Sequence, residues 1–201
     1  MPFTQLLVAT SNPGKIREAR VLLAGVNQKL FFLSDLDTTI SGPEETGTSF
    51  IENAQLKARY YAHLSQLPTI ADDSGLCVLG LDGFPGINSA RWSPGSNEDR
   101  VTALLNLLSE RGLTDPEQRR AYFACTISLV FPDQQKSLEF EGACWGTLAH
   151  LPIGSGGFGY DSIFVADGQT QTMAQLSLDE KNAISARSVA MKKFVSWLEQ
   201  H

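Results

Sequence analysis

The chain has 201 residues, which is enough for one domain with a hydrophobic core or for two closely joined lobes. Its apolar and charged fractions, 42% and 19%, are ordinary for a globular protein and argue against general disorder. The net charge of -6 argues against a nucleic-acid polymer as partner, because binding along a phosphate backbone needs a basic surface. A local cluster of lysines could still bind a small anion.

The cysteines and the N-terminal residues indicate a reducing compartment. Cys77, Cys125 and Cys144 lie among apolar residues without the spacing of a metal site or a disulfide framework, so we expect reduced core cysteines. The apolar run at residues 6–9 is too short for a signal peptide, and no apolar run approaches the length of a membrane span. We therefore expect a cytoplasmic protein without a membrane partner.

The first 33 residues predict a strand, a helix and a second strand. Residues 6–9 and 30–33 are the apolar strands, and Gly25 should stop the helix between them. Asn12 suits the N-cap of that helix and Pro13 its first turn. This order favours a parallel strand pair and the α/β class, and we treat residues 1–201 as a single domain.

A second helix should begin after Ser49, because Ser49 and Glu52 have the spacing of a capping box. Asn53 and Lys57 lie four residues apart and should share a face that points away from the core. The residues expected to face the core are Phe50, Ala54, Ala58, Tyr61 and Ala62.

Two adjacent carboxylates, Asp72 and Asp73, follow a short apolar strand predicted at residues 69–71. The carboxyl ends of strands are where α/β proteins place their sites, so we expect these groups to bind Mg²⁺ or to deprotonate water. The alternative is an Asx-turn, in which an Asp side chain satisfies the next backbone amides. One such turn does not need two carboxylates, which favours function.

The second half of the chain predicts a hairpin and a C-terminal helix. Apolar residues alternate over residues 123–131, and a turn at 132–135 leads to a return strand at 137–148. In an unbroken last helix, Arg187 would lie on the apolar stripe beside Ile184 and Met191, where an unpaired cation is costly. Either Arg187 reaches a polar cleft, or the helix begins near Ser185.

Two turns are candidate binding segments. Residues 10–15 join a strand to a helix, where backbone N–H groups and the helix dipole favour phosphate, although a simple capped turn is the alternative. Residues 154–161 are rich in glycine and contain Phe158 and Tyr160, whose rings could stack on a base. A flexible loop is the alternative for that segment.

Taken together, these segments resemble the inosine triphosphate pyrophosphatase family, which comprises dITP/XTP pyrophosphatases that remove non-canonical purine nucleotides. The matching segments follow the family order and are residues 10–15, 44–47, 50–58, 71–76, 85–86, 89–91, 156–161 and 180–181, with Ser185 and Arg187. The resemblance implies an elongated α/β fold with a mixed central sheet flanked by helices and two lobes around an active-site cleft. It also implies a homodimer, Mg²⁺ as cofactor, and hydrolysis of ITP, dITP and XTP to the monophosphate and pyrophosphate.

The resemblance also implies roles for individual residues. Asp73 would be the general base and would hold Mg²⁺ with Glu44 or Glu45, while Ser74 would touch the substrate and Lys57 a phosphate. The residues around the triphosphate would be Thr10, Ser11, Asn12, Pro13, Gly14 and Lys15. The base pocket would comprise Phe158, Gly159, Tyr160 and Asp161, with Lys181 and Arg187 recognising the 6-oxo group.

Ala186 departs from the family pattern, which usually has histidine before that arginine. The missing imidazole could loosen base discrimination, shift the preferred base, or be replaced by water. Ser162 replaces a proline of the family, and we expect this change to be mild. A pyrophosphatase of altered or broader base preference is therefore one alternative. A non-catalytic nucleotide-binding regulator is the other, although a pure binder gains little from a full set of carboxylates.

Overall fold

The computed structural model describes residues 3–36, 42–132 and 136–201. The strands are β1 (Gln5–Val8), β2 (Lys29–Phe32), β3 (Thr69–Val78), β4 (Arg120–Val130), β5 (Ser137–Leu148) and β6 (Phe164–Ala166). The helices are α1 (Pro13–Leu22), α2 (Phe50–Ser65), α3 (Asn97–Glu110), α4 (Leu178–Ile184) and α5 (Ala186–Gln200).

The strands form one mixed sheet in the order β2-β1-β3-β4-β5-β6. β1 pairs in parallel with β2, as the strand–helix–strand order predicts, and it also pairs in parallel with β3. β5 and β6 pair in the antiparallel direction. Helices flank this sheet, and the predicted α/β class with a mixed sheet is therefore confirmed.

The chain divides into two compact units. The first unit takes its described residues from Met1–Asp73, Cys125–Gly142 and Arg187–His201, and the second from Ser74–Ala124 and Ala143–Ala186. A core cluster of the first unit contains Leu7, Ala9, Ala58, Tyr61, Ala62, Ala71 and Val130. In the second unit, Phe123 packs edge-on against the fully buried Phe164. The assignment of residues 1–201 to a single domain stays a prediction.

Helix α1 begins as its sequence predicts. The Asn12 side-chain oxygen accepts hydrogen bonds from the N–H groups of Gly14 at 2.8 Å and Lys15 at 3.2 Å, and Pro13 is the first helical residue. The helix ends at Leu22, ahead of the predicted stop at Gly25. This start fixes the place of Lys15 in the first turn.

Helix α2 confirms half of the predicted capping box. Ser49 Oγ accepts a hydrogen bond from the N–H of Glu52 at 3.1 Å. The prediction of the reciprocal hydrogen bond, from the N–H of Ser49 to the Glu52 carboxylate, is wrong. That carboxylate accepts instead from the N–H of Thr48, at 2.6 Å. The helix therefore begins where predicted, but Glu52 caps the residue before Ser49 rather than Ser49 itself.

The predicted core face of α2 is correct at Ala54, Ala58, Tyr61 and Ala62, which are all buried. Phe50 is only half-buried. The prediction that Asn53 faces away from the core is wrong, because Asn53 is fully buried. Its amide finds polar partners inside the protein, which offset the cost of removing it from water.

β3 does not end at the paired carboxylates as predicted. It runs without interruption from Thr69 to Val78, so Asp72 and Asp73 lie in its middle. Consecutive side chains of a strand point to opposite faces, and each carboxylate has its own cationic partners. The strand can therefore continue through both of them.

Close packing also fixes β3 just beyond the carboxylates. Gly75 is buried, and a Cβ added to it would lie 2.2 Å from the carbonyl oxygen of Gly86. A larger residue at this position would force the backbone at Gly86 to shift, because the clash is with a carbonyl oxygen rather than with a flexible side chain. Gly75 is therefore required for this approach.

The later strands and helices agree with most of the predictions. β4 and β5 are neighbours in the sheet, as a hairpin requires, while residues 133–135 of the predicted turn lie outside the described residues. The expected alternation is incomplete, because Thr126 and Ser128 of β4 are buried as well as Ile127. Ser185, with φ -67° and ψ 151°, separates α4 from α5, so of the two alternatives for Arg187 the helix start near this residue is correct.

The cysteines are free and buried, as predicted. Within the part of the chain that the structure describes, no helix combines the length and apolar character needed to cross a membrane.

Substitution of Gly75 tests the packing of β3. We expect Gly75→Ala to lower the free energy of unfolding by about 1–3 kcal/mol, because the added methyl group overpacks the contact with Gly86. Gly25→Ala is the matched control, since a Cβ there meets nothing within 4 Å, and its effect should stay within about 0.5 kcal/mol. Urea denaturation measures both, and equal stability of the two variants would contradict the close approach.

Candidate active site

Lys57 lies between two carboxylates of the first unit. Its Nζ is 2.6 Å from Glu45 Oε1 and 2.8 Å from Asp73 Oδ1. Burial lowers the pKa of Lys57, but the charges of Asp73 and Asp72 outweigh burial and raise it. Lys57 is therefore a charged ammonium group at neutral pH, held by carboxylates from two separate segments of the chain.

Asn53 fixes the orientation of Asp73. The amide oxygen of Asn53 accepts a hydrogen bond from the N–H of Gly47 at 2.9 Å, which turns its Nδ2 towards Asp73 Oδ2 at 3.4 Å. Both oxygens of Asp73 are thus contacted, one by Lys57 and one by Asn53. We call Glu45, Asn53, Lys57 and Asp73 the carboxylate–lysine cluster.

The pKa of the Asp73 carboxyl is raised. Burial is the largest cause, and the attraction of Lys57 opposes it without cancelling it. A carboxylate with a raised pKa is a better proton acceptor than an ordinary aspartate. Asp73 therefore has the chemistry of a general base.

Asp72 belongs to a second group, which we call the buried charge cluster: Lys15, Glu18, Asp72 and Arg187. Glu18 and Arg187 are buried in it, whereas Lys15 and Asp72 are half-buried. Asp72 Oδ2 lies 2.9 Å from Lys15 Nζ and 3.1 Å from Arg187 Nη2. Arg187 Nη1 also donates to Glu18 Oε2. Helices α1 and α5 thus supply the cations and one acid, while β3 supplies the other acid.

The charges of this cluster balance one another. Burial alone would raise the pKa of Asp72, but Lys15, Arg187 and Lys57 together hold it far below its ordinary value. Burial lowers the pKa of Arg187, while Asp72 and Glu18 raise it strongly. Asp72 is therefore ionised and bound by cations, which makes it a poor proton acceptor.

Three residues of the buried charge cluster line a small pocket of the first unit. Thr10, Lys15, Asp72 and Arg187 line its polar side. The remaining lining residues are apolar or small: Val8, Ala9, Ala19, Ile70, Ala71, Ile127 and Met191. Of the predicted triphosphate residues, Thr10 is half-buried and Gly14 buried, whereas Ser11, Asn12 and Pro13 are exposed.

The structure distinguishes between the predicted metal ligands. Glu45 and Asp73 converge on the same cation, the ammonium of Lys57, whereas Glu44 is exposed. No group of three or more histidine, cysteine, aspartate or glutamate side chains within residues 3–36, 42–132 and 136–201 is arranged to hold a metal ion. Among the predicted metal ligands, Glu45 and Asp73 are the two whose carboxylates converge.

The second unit contains the predicted base-binding residues except Arg187, which lies in the first unit. Lys181 Nζ lies 2.5 Å from Asp161 Oδ2 and 4.7 Å from the centre of the Phe158 ring. Asp161 Oδ2 also accepts a hydrogen bond from the N–H of Phe158 at 2.8 Å. Gly157 has a φ of 71°, and a Cβ there would lie 2.1 Å from Asp161 Oδ2, so only glycine fits.

The two rings of this loop differ in their surroundings. Tyr160 is 4% exposed, and its hydroxyl group contacts Ser89 and Trp92. Phe158 is only half-buried. The ring of Phe158 is therefore better placed than that of Tyr160 to stack on a base. Gly159, between them, has a φ of 65°.

The remaining predicted residues lie at element boundaries or inside β3. Ser74 is half-buried in β3 directly after Asp73. Ala186 is the first residue of α5 and is 4% exposed. It directly precedes Arg187 of the buried charge cluster.

Sequence analysis did not assign roles to Glu18 or Trp92, and it placed Asn53 on the wrong face of its helix. Glu18 lies four residues after Gly14 and next to Ala19, so helical spacing could have placed it on the inner face of α1. Asn53 adjoins Ala54, and both are buried. No sequence signal indicates the contact of Trp92 with Tyr160.

Comparison with known proteins places these features in a family. A sequence model of the Ham1 family matches residues 6–197. A dITP/XTP pyrophosphatase of Symbiobacterium thermophilum is 47% identical over 190 residues, which cover 94% of this chain and 92% of the relative. A HAM1 protein from Coxiella burnetii superposes with a TM-score of 0.88 at 33% identity, covering 99% of this chain and 100% of the other. The Staphylococcus aureus Ham1 protein superposes with a TM-score of 0.83 at 38% identity, covering 98% of each chain.

Removing Arg187 tests the buried charge cluster. We expect Arg187→Met to lower the free energy of unfolding by about 3–5 kcal/mol, because buried Glu18 and half-buried Asp72 lose their guanidinium partner. The control is Arg120→Met, which breaks the Arg120–Asp167 pair, whose side chains are 29% and 54% exposed. That change should cost about 1 kcal/mol or less. Equal losses in urea denaturation would contradict a stabilising role for Arg187.

The acid dependence of stability tests the lowered pKa of Asp72. A carboxyl whose pKa is lower in the folded than in the unfolded state stabilises the fold above the unfolded value, here 3.8, and loses that contribution as the pH falls. We therefore expect Asp72→Asn to lose less stability than the wild type between about pH 4 and pH 2. Asp73→Asn is the comparison, because the pKa of Asp73 is shifted upwards. Parallel stability curves for wild type and Asp72→Asn would contradict the assignment.

Proposed function

The chain belongs to the Ham1 family, and on that premise we propose that it hydrolyses non-canonical purine nucleoside triphosphates to the monophosphate and pyrophosphate. The substrates are ITP, dITP and XTP, and the biological role is to clear them from the nucleotide pool. The name of the Symbiobacterium thermophilum relative supports dITP and XTP, while the resemblance of the sequence motifs supports ITP.

The environment of Asp73 is the observation that carries this proposal. The carboxylate is buried, its pKa is raised, and Lys57 and Asn53 hold its two oxygens in a fixed orientation. Its role is to orient a water molecule and to accept a proton from it as the water attacks phosphorus. The lowered pKa of Asp72 excludes the neighbouring carboxylate from the same role.

We propose that the enzyme depends on Mg²⁺, held by Glu45 and Asp73. Their oxygens already converge on one cation, the Lys57 ammonium, so the donor set suits a small hard ion. Mg²⁺ commonly takes one or two carboxylates and completes its coordination with water and substrate phosphate. When bound, it neutralises phosphate charge and polarises phosphorus.

Lysines supply the remaining positive charge of the first unit. Lys15 is partly exposed, lines the pocket with Thr10, and lies in the first turn of α1, where the helix dipole also favours an anion. Lys57 lies beside the general base. Both ammonium groups can stabilise the negative charge that develops on the departing pyrophosphate.

The second unit supplies the groups that select the base. The Phe158 ring offers a stacking face, and Lys181 offers a donor to the oxygen of a 6-oxo purine. Adenine carries an amino group, a donor, at position 6 of the purine. The Lys181 ammonium would then face another donor, which would weaken binding of adenine nucleotides by a few kcal/mol. Arg187, which the resemblance also assigns to the base, contacts Glu18 and Asp72, and its base contact stays a prediction.

Pyrophosphate release from a panel of nucleotides tests the proposed function. With Mg²⁺ present, we expect rapid release from ITP, dITP and XTP and slow release from ATP, GTP and dTTP, with nucleoside monophosphate as the other product. Chelation of the metal should stop the reaction. Turnover of none of these nucleotides would instead support a nucleotide-binding regulator.

Ala186 supports a second candidate, a pyrophosphatase with broader base preference. It is buried beside Arg187 where the family usually has a histidine, so the chain lacks one donor next to the site. If this loss relaxes selectivity, Ala186→His should raise the ratio of ITP to GTP turnover by roughly tenfold, equivalent to one hydrogen bond of about 1.4 kcal/mol. An unchanged ratio would count against the second candidate.

The homodimer and the cytoplasmic location are proposed from the resemblance alone. Analytical sedimentation tests the dimer, because a dimer would have twice the 21.9 kDa mass of the chain.

A further inference from the structure

Residues 84–92 contact the glycine-rich loop at residues 154–161 of the second unit. The proposed mechanism gives residues 84–92 no role. Trp92 Nε1 donates a hydrogen bond to the hydroxyl oxygen of Tyr160 at 2.7 Å. The same hydroxyl donates to the carbonyl oxygen of Ser89 at 2.8 Å. Tyr160 thus uses its hydroxyl group as donor and acceptor in one link, which we call the Tyr160 tether.

The tether ends on a well-fixed part of the second unit. Ser89 Oγ donates to the carbonyl oxygen of Gly86 at 2.6 Å and accepts from the N–H of Leu76 at 2.9 Å. Phe84 packs edge-on against Trp92, with ring centres 5.0 Å apart. Because Leu76 belongs to β3, residues 84–92 connect the loop to a strand of the central sheet.

The other end of the tether lies inside the base-binding loop. Tyr160 lies between Gly159 and Asp161 in the chain. The Asp161 carboxylate accepts a hydrogen bond from the backbone N–H of Phe158 and also binds the Lys181 ammonium. The loop contains Gly154, Gly157 and Gly159 with positive φ values of 86°, 71° and 65°. Such glycines leave the unfolded loop many alternative conformations, so side-chain contacts must select one.

We propose that Tyr160 is a positioning residue for base recognition rather than a group that stacks on the substrate. Its buried hydroxyl fixes the loop on Ser89 and Trp92 and thereby sets the position of the Phe158 ring and the Asp161 carboxylate. This inference rests on the proposed function, because it assumes that the loop binds the base. It assigns Trp92 and Ser89 to the support of that loop.

Tyr160→Phe tests the proposal because it keeps the ring and removes both hydrogen bonds. We expect faster amide hydrogen exchange at residues 154–161 and a KM for ITP about tenfold higher, the effect of one to two hydrogen bonds. The kcat should stay within about twofold, since the carboxylate–lysine cluster is unchanged. The preference for ITP over ATP should fall with the rise in KM.

Tyr122→Phe is the matched control in the same unit. The Tyr122 ring packs at a tilt against the exposed Trp145, and its hydroxyl interacts with Cys77 rather than with Tyr160, Ser89 or Trp92. Tyr122→Phe therefore also removes a hydroxyl contact, but not the tether, so KM and loop exchange should match those of the wild type. Trp92→Phe is the second variant, which removes one of the two bonds and should give a smaller change in the same direction. It also serves if Tyr160→Phe fails to fold.

The two readouts separate this inference from the proposed function. If Tyr160→Phe hydrolyses ITP with the KM, base preference and loop exchange of Tyr122→Phe, the positioning role is wrong. Faster exchange without a change in KM or base preference would also overturn it, because the loop would then be held for stability alone. Failure of the wild type to hydrolyse ITP would refute the proposed function, while hydrogen exchange would still decide whether Tyr160 holds the loop.

Discussion

The adjacent carboxylates of β3 require two separate sets of partners, and much of the first unit serves to supply them. Asp72 and Asp73 are consecutive residues, so their side chains leave the strand on opposite faces. Lys15 of α1 and Arg187 of α5 bind Asp72, whereas Lys57 and Asn53 of α2 bind Asp73. Removal of either set would leave a charge buried without compensation, which is among the costliest defects in a protein.

Different partners give the two carboxylates different chemistry. The cations around Asp72 outweigh its burial and hold its pKa low, whereas burial dominates at Asp73 and raises its pKa. Paired acids whose pKa values are driven apart commonly have separate roles in one active site. Asp72 binds the cations of the buried charge cluster, and Asp73 is the carboxylate that we propose as the proton acceptor.

Local patterns predicted much of the fold, but the pairing of charges depended on contacts distant in sequence. Asn12 and Ser49 begin their helices as predicted because N-caps act over three residues. The strand through Asp72 and Asp73 could not be predicted locally, because Arg187 lies 115 residues from Asp72. Asn53 was misplaced for the same reason, since its partner Asp73 is 20 residues away. The motifs identified the candidate residues, and tertiary contacts distinguished Asp72 from Asp73 and Glu45 from Glu44.

The most direct test of the separate roles is ITP hydrolysis by Asp73→Asn, measured together with its free energy of unfolding. Because folding already disfavours ionisation of Asp73, the amide should change stability by no more than about 1 kcal/mol. Loss of the proton acceptor should reduce turnover by roughly 10²–10⁴-fold. A folded Asp73→Asn protein that releases pyrophosphate at the wild-type rate would show that Asp73 is not the general base and would contradict this account of the site.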